Sequence, residues 1–229
     1  MAKYVTLSFD DGVTQDFRFI EMIDKYGLKC TFNLNSELLG LPGELIIDGI
    51  RANHTKVKPD EVRELYKNHE VAVHTLTHPN LLLVSDEEIT RQVGEDAKNL
   101  HALTGGREIV GMAYPGGPFY DERVIRIITE TTPIRYARST ANTYDFKIPE
   151  RFMEWHPTAF QHDDLIALGK KFLAAETEED MLFYVWGHSY DFDFRDTWGQ
   201  FERFCDFIAG RDGVKYVTNG EIYRKYAAK

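Results

Sequence analysis

Strand-like and helix-like segments alternate along this chain, and that alternation is the strongest limit on its fold. The strand-like segments are nearly continuous apolar runs, and the segments between them repeat apolar residues every three or four positions. This pattern predicts a parallel sheet with helices packed outside it. Strands are predicted at residues 3–9, 29–35, 70–75, 109–117, 134–139, 151–156, 180–189 and 215–218.

Capping residues mark several of the intervening helices. One helix begins at Asp16, and the clearest begins at Ser85, which forms a capping-box pattern with Glu88. Another opens near Asp121. Residues 36–55 contain glycines and a proline without a sustained period, so we interpret them as a long loop or a small hairpin. Further helices are predicted at roughly 58–69, 163–175, 198–208 and 221–226.

Polar residues gather at the ends of the predicted strands. Asp10 and Asp11 follow the first strand, where a doubly wound dinucleotide-binding fold would place a glycine-rich phosphate turn. His74, residues 114–116 and His188 lie toward the C-terminal ends of later predicted strands. Active sites of (β/α) barrels are built at these C-terminal strand ends. We therefore expect an α/β fold of the barrel type.

The length and net charge of the chain limit its domain organisation and its possible partners. The chain has 229 residues, 43% of them hydrophobic, which suits one barrel-like domain over residues 1–229. A net charge of -10 argues against nucleic acid as a partner, because phosphate contacts need clustered Lys and Arg. We find no signal peptide and no run of transmembrane length, so we expect a cytoplasmic protein with no membrane partner. The oligomeric state is left open, and both cysteines are expected to be buried small hydrophobes.

Two histidines and two aspartates suggest a metal site. His74 and His78 are four residues apart and can reach one ion if the chain turns helically after its strand. This spacing alone also occurs in surface or packed histidines, and Asp10-Asp11 alone suits a turn with helix-capping acids. Together, two His and one Asp form a common ligand set with open positions for Zn²⁺, Fe²⁺, Co²⁺ or Ni²⁺. The second Asp would then be free to accept a proton from water.

His188 is a candidate general acid. It follows a very apolar strand and should emerge at the same end of the barrel. A His with a pKa near neutrality suits protonation of a leaving group. A buried His that hydrogen-bonds to the backbone explains the residue equally well.

With these residues assembled, the sequence resembles the polysaccharide deacetylase family, carbohydrate esterase family four, which includes chitooligosaccharide and peptidoglycan deacetylases. The first family motif, T-F-D-D-G, corresponds to Ser-Phe-Asp-Asp-Gly at residues 8–12. The second, H-[S/T]-x-x-H, corresponds to His-Thr-Leu-Thr-His at residues 74–78. The resemblance covers roughly residues 4–190.

The resemblance implies a fold and a set of roles. It implies a distorted (β/α) barrel with fewer than eight regular repeats, hence about seven parallel strands. It implies that Asp10 is the catalytic base and His188 the general acid. Asp11, His74 and His78 would hold one divalent metal ion, with Zn²⁺ favoured over Co²⁺, Ni²⁺ or Fe²⁺.

Two family motifs depart from the pattern. The third, R-x-P-[F/Y/W]-G, reads Ala-Tyr-Pro-Gly-Gly at residues 113–117, without the arginine that holds the base or the aromatic wall. Arg138 is a candidate replacement for the missing charge. The fourth, Asp-x-x-Asp-Trp, is not recognisable, and Asp145, Glu154 or Asp191 could orient His188 instead. The candidate substrate-binding residues are Tyr114, Pro115, Gly116, Arg138 and Trp155.

The predicted function is a metal-dependent hydrolase that removes acetyl groups from N- or O-acetylated sugars of an oligo- or polysaccharide. A cyclic amide or ureide hydrolase related to allantoinases is the second hypothesis, since the missing arginine and leader favour a small soluble substrate. A non-catalytic carbohydrate-binding relative is the third. Its expected mark would be a broken metal set, whereas all three candidate ligands and His188 are present.

Overall fold

A computed structural model describes residues 1–47 and 49–227, and its strands and helices alternate along the chain. The strands are β1 Lys3–Asp10, β2 Cys30–Leu34, β3 Glu44–Ile47, β4 Ile50–Asn53, β5 Glu70–Val73, β6 Gly111–Ala113, β7 Tyr136–Arg138, β8 Ala159–Phe160, β9 Met181–Gly187 and β10 Val214–Tyr216. The helices are α1 Asp16–Lys25, α2 Val62–Leu65, α3 Asp86–Leu103, α4 Glu122–Thr131, α5 Leu165–Ala174, α6 Tyr190–Arg195, α7 Trp198–Ile208 and α8 Asn219–Tyr226. Short 3-10 turns lie at Pro59–Glu61, Leu81–Leu83 and Phe152–Glu154.

The main sheet is curled and parallel. Seven of its eight strands lie in the order β7-β6-β5-β2-β1-β9-β8. The eighth, β10, pairs with the first half of β1, while β2 pairs with the second half. The segment before β8 reaches back to β7, because Trp155 N donates to Ala137 O and Ser139 N donates to Trp155 O, each at 3.0 Å. This arrangement confirms the predicted distorted (β/α) barrel with seven parallel strands.

The first strand runs through the centre of the core. All of its residues after Lys3 are buried, and it pairs with β9 over seven residues, from Lys3 opposite Met181 to Phe9 opposite Gly187. Phe9 stacks on Phe19 of α1 with ring centroids 4.0 Å apart. Burial of this kind contributes roughly 25 cal/mol per Å² of apolar surface, so the end of β1 is firmly anchored. The two aspartates that follow Phe9 are therefore held on a rigid element.

Several local predictions are confirmed and others are wrong. Ser85 caps α3 by accepting from Glu88 N at 3.3 Å, but the Glu88 side chain pairs with Arg91 instead of completing a capping box. Residues 36–55 contain the β3–β4 hairpin, and the helix predicted at 58–69 is shorter than expected. Residues 151–156 form a 3-10 turn and a single bridge to β7 instead of a strand. Neither α6 nor β8 was predicted from the sequence.

Two global expectations concern membranes and cysteines. Among the described residues, no helix combines the length and the apolar character needed to cross a bilayer. Cys30 and Cys205 are both free and buried, as expected for small core residues.

Candidate active site

Three parallel strands, β1, β5 and β9, bring the predicted site residues to one end of the barrel. Asp10 is the last residue of β1, and Asp11 follows it. His74 follows β5, and His188 follows β9. Because these strands are parallel and lie close together in the sheet, their C-terminal ends open into the same cleft, whose volume is about 640 Å³. All four side chains line that cleft.

Asp11, His74 and His78 form a compact group of potential metal ligands. Their ligand atoms all lie within 4.8 Å of one another. Thr75 and His78 both have positive φ values, 68° and 61°, and this turn brings the second imidazole back beside the first. The two rings lie 4.8 Å apart at 73°. A carboxylate and two imidazoles in this arrangement fit a divalent cation that keeps open positions toward the cleft.

Local interactions put the ligands in the charge states that a metal requires. His74 Nδ1 lies 2.9 Å from Ala113 O and donates to it, which leaves the lone pair of Nε2 free. Burial lowers the pKa of His74 to about 4, so this ring is neutral at neutral pH. Burial also opposes ionisation of Asp11, but a hydrogen bond from His54 and the charge of Lys56 hold its pKa well below the usual value. Ligands must be deprotonated to bind a metal, and both are.

Asp10 is a buried carboxylate with two strong partners. Asn33 Nδ2 donates to its Oδ1 at 2.8 Å, and Arg138 of β7 forms an ion pair with its Oδ2. The Arg138 side chain is fully buried, with its guanidinium 4.8 Å from the ring of Trp186. Burial alone would raise the pKa of Asp10, but the charge of Arg138, followed by His74 and His188, lowers it. Arg138 thus supplies the charge that the third motif lacks.

His188 lies between Asp10 and a second carboxylate. Its Nε2 is 3.9 Å from Asp10 Oδ2, and its Nδ1 is 3.6 Å from Asp191 Oδ2 in α6. Burial lowers the pKa of His188, but Asp191, Asp10 and Asp11 outweigh it, so the net pKa is raised. Of the three candidate partners, Asp145 is exposed and Glu154 pairs with Arg151. Asp191 is therefore the carboxylate that the fold places beside His188.

The predicted substrate-binding residues do not all reach the cleft. Tyr114 and Gly116 line it, whereas Pro115 is buried behind them. Arg138 lies beneath Asp10, so we revise its predicted role from substrate contact to partner of the base. Trp155 is 1% exposed and packs at 5.1 Å against Tyr184 in a separate cluster, so we also revise its assignment as a substrate contact.

Several cleft residues were missed by the sequence analysis. His54 was not among the predicted site residues, yet its Nε2 lies 3.3 Å from Asp11 Oδ2. Lys56 Nζ donates to Asp11 O at 2.9 Å. Trp186, which was not assigned to the site either, lines the cleft, and its Nε1 donates to Asn142 Oδ1 at 2.8 Å. No spacing rule links His54 or Lys56 to residue 11, so no signal in the sequence pointed to them.

Comparison with known proteins supports the family resemblance and the fold. The family model described as polysaccharide deacetylase matches residues 1–136. A family 4 acetyl xylan esterase from Clostridium thermocellum, solved in complex with a cobalt ion, aligns over 97% of this chain and 91% of its own, with 15% identity and a TM-score of 0.58.

Two further solved structures are similar to this chain, and both are longer than the aligned region. A mutant of BA3943 from Bacillus anthracis, a CE4 family pseudoenzyme with restored enzymatic activity, aligns over 96% of this chain and 67% of its own (17% identity, TM-score 0.60). The Streptococcus pyogenes deacetylase PplD in complex with acetate aligns over 59% of this chain (18% identity, TM-score 0.48). This chain spans about half, 55%, of that deacetylase. At these identities the neighbours show the fold alone.

Proposed function

The chain belongs to the polysaccharide deacetylase family, and on that premise we propose that it is a metal-dependent hydrolase acting on acetylated carbohydrate. The substrate class is N- or O-acetylated sugars of an oligo- or polysaccharide. The observation that supports this most strongly is the convergence of Asp11, His74 and His78 within 4.8 Å, in the cleft that Asp10 and His188 also line.

Asp11, His74 and His78 are the residues that would hold the ion. A divalent cation at this place would supply Lewis-acid activation of the substrate carbonyl and of water. Zn²⁺ is the preferred ion, and Co²⁺, Ni²⁺ or Fe²⁺ suit the same donors. His78 is exposed at the rim, whereas the other two residues are buried, so an ion would enter from the cleft.

Asp10 serves as the general base in this proposal. Its lowered pKa keeps the carboxylate ionised at neutral pH, ready to take a proton from the attacking water. Arg138 and Asn33 hold the two oxygens, so the side chain does not reorganise during the step.

His188 serves as the general acid. Its raised pKa favours the imidazolium, which can protonate the departing sugar nitrogen or oxygen. A backbone N–H in residues 114–116 could hold the developing oxyanion, but Tyr114 N already donates to Arg138 O at 3.0 Å and Pro115 has no N–H. Gly116, which lines the cleft, is the donor that remains in this turn.

The same residues distinguish this proposal from the two alternative functions, a cyclic amide hydrolase and a non-catalytic carbohydrate-binding protein. The Asp10–Arg138 pair removes the missing arginine as an argument for a cyclic amide substrate. A non-catalytic role would be expected to leave the ligand set or the base incomplete, whereas both are assembled at the cleft. Since one structural neighbour is a pseudoenzyme, activity itself is the decisive measurement.

The test is acetate release by the metal-loaded protein from short chitin and peptidoglycan fragments, beside a parallel panel of cyclic ureides. Asp10→Asn is the matched control, because it keeps the side-chain shape and removes the base. We expect acetate from at least one acetylated sugar with the native protein and a large loss with the variant. Turnover of ureides alone would assign the cyclic amide function, and equal acetate release by both proteins would contradict the proposed role of Asp10.

A further inference from the structure

The segment after the β3–β4 hairpin lies directly against the loop that contains Asp11. Val57 N donates to Gly12 O at 2.9 Å, and Val13 forms an antiparallel bridge with Lys56. These backbone contacts flank the end of β1 on its C-terminal side. Side chains of residues 54–57 therefore reach Asp11 from a defined position.

The backbone of Asp11 is itself constrained. Its φ of 82° lies in the left-handed region, which non-glycine residues seldom occupy. Its N–H donates to Asn33 O at 3.0 Å, and its carbonyl oxygen accepts from Lys56 Nζ at 2.9 Å. Because both the N–H and the C=O of Asp11 have hydrogen-bond partners, the backbone fixes the direction of its Cα–Cβ bond before any ion binds.

The two carboxylate oxygens of Asp11 face different neighbours. Oδ1 lies 4.0 Å from His74 Nε2, on the side of the candidate ligands, and 3.5 Å from Lys56 Nζ. Oδ2 lies 3.3 Å from His54 Nε2. The terminal torsion of an aspartate is broad, so a donor on one oxygen decides which way the other oxygen turns. The ring of Tyr190 packs edge-on against His54, with centroids 4.9 Å apart, and limits the motion of that donor.

We propose that His54 is a positioning residue of the metal centre, which holds Oδ2 of Asp11 and thereby turns Oδ1 toward His74 and His78. The inference rests on the metal-dependent function proposed above. Among the described residues, the ligand group contains Asp11, His74 and His78 but not His54, so His54 acts through Asp11. Hydrogen-bond partners of metal ligands commonly change metal affinity by about 10- to 100-fold when they are removed.

The experiment compares metal binding by the native protein and two variants. His54→Leu keeps apolar bulk and removes the donor, and His54→Gln restores an N–H donor without an imidazole. His101→Leu is the matched control, because His101 is exposed near the end of α3 and its ring hydrogen-bonds only to Arg107 O among the described contacts. Co²⁺ and Zn²⁺ titrations of metal-free protein give Kd, the visible spectrum at saturating Co²⁺ reports the ligand set, and urea unfolding reports stability.

The expected result is a Kd about 10- to 100-fold higher for His54→Leu, with most of the affinity recovered in His54→Gln and no change in the control. The saturated Co²⁺ spectrum should stay that of the native protein. An unchanged Kd in His54→Leu, even with a loss of stability, would overturn the proposal. An altered saturated spectrum would also overturn it, because His54 would then be a ligand itself. If the native protein binds neither metal, the proposed function fails as well.

Discussion

Replacing Arg138 by Met should expose how strongly the fold depends on a paired Asp10. Arg138 is the one residue that forms an ion pair with Asp10 through a guanidinium among the described contacts, and its side chain is fully buried. Met preserves much of the aliphatic volume but leaves the carboxylate without its principal cation. Breaking a buried pair from one side costs roughly 3–5 kcal/mol, because an uncompensated charge remains in the core.

The structure contains an internal reference for the size of this effect. Asp16 and Asp96 are buried carboxyl groups that have hydrogen-bond donors but no directly bound arginine, and burial raises the pKa of each from 3.8 to about 7. We expect Asp10 in the metal-free Arg138→Met variant to behave like them. A rise of about three pKa units corresponds to about 4 kcal/mol, which agrees with the loss expected from the broken pair.

The sign of the pH dependence follows from that rise. In the variant the folded-state pKa of Asp10 lies above its unfolded value, so the folded state binds the extra proton between about pH 4 and pH 7. The free energy of unfolding should therefore fall, relative to the native protein, as pH rises through that window, and the deficit should be complete above it. The acid limb of kcat/KM for the metal-loaded enzyme should also move to higher pH.

Urea unfolding of metal-free protein at pH 5 and pH 8 measures the deficit directly. Arg126→Met is a control, since Arg126 forms an exposed pair with Glu130 and should change stability by less than about 1 kcal/mol. The double variant Arg138→Met/Asp10→Asn removes the charge and should lose the pH dependence of the deficit. A deficit in Arg138→Met that is equal at both pH values would refute the reasoning, because it would mean that Arg138 contributes packing alone.

Three further predictions concern the same site. Asp10→Asn should retain metal in elemental analysis while kcat falls by ~10²–10⁴, the usual effect of losing a general base, and normal turnover would show that the base is elsewhere. His78→Ala should lose stoichiometric metal, and unchanged occupancy would remove it from the ligand set. The kcat/KM profile should rise with pH through the lowered pKa of Asp10 and fall through the raised pKa of His188; in Asp191→Asn the falling limb alone should move to lower pH, and an unmoved limb would exclude Asp191 as the partner.

The spacing of apolar residues predicted most of the fold, because the buried strands and helices place their apolar residues at regular intervals. The strand at β9 is a continuous apolar run, and α3 repeats its apolar residues on one face, so both were predicted close to their observed bounds. Residues 151–156 do not form the predicted strand: Phe152 and Trp155 belong to a separate cluster, whereas Met153 packs against the main core. The helix α6 begins at Tyr190, two residues after His188, and has only six residues, which is too short for a helical period to show.

Part of the candidate site could likewise be predicted from the sequence, and part could not. His74 and His78 were found because they lie four residues apart, and an aspartate of the Asp10-Asp11 pair was found because strand ends of a parallel sheet converge. The family resemblance then selected Asp11 as the third ligand. His54 and Lys56 come from a segment beside the cleft whose position depends on its backbone bonds to residues 12–14. Such contacts follow from tertiary structure, and no spacing in the sequence encodes them.

Arg138 shows why a motif can be lost while its chemistry remains. A buried carboxylate needs a cation near its oxygen, but the carboxylate is indifferent to the strand that supplies it. The third motif lies at the end of β6, and β7 is the adjacent parallel strand, with Ala113 opposite Arg138 in register. An arginine on either of these adjacent strands projects into the same end of the barrel. In this chain the arginine is on β7, and its side chain is long enough for the guanidinium to reach Asp10. What Asp10 requires is therefore a cation at a position in space, next to its carboxylate, and not an arginine at a fixed place in the third motif.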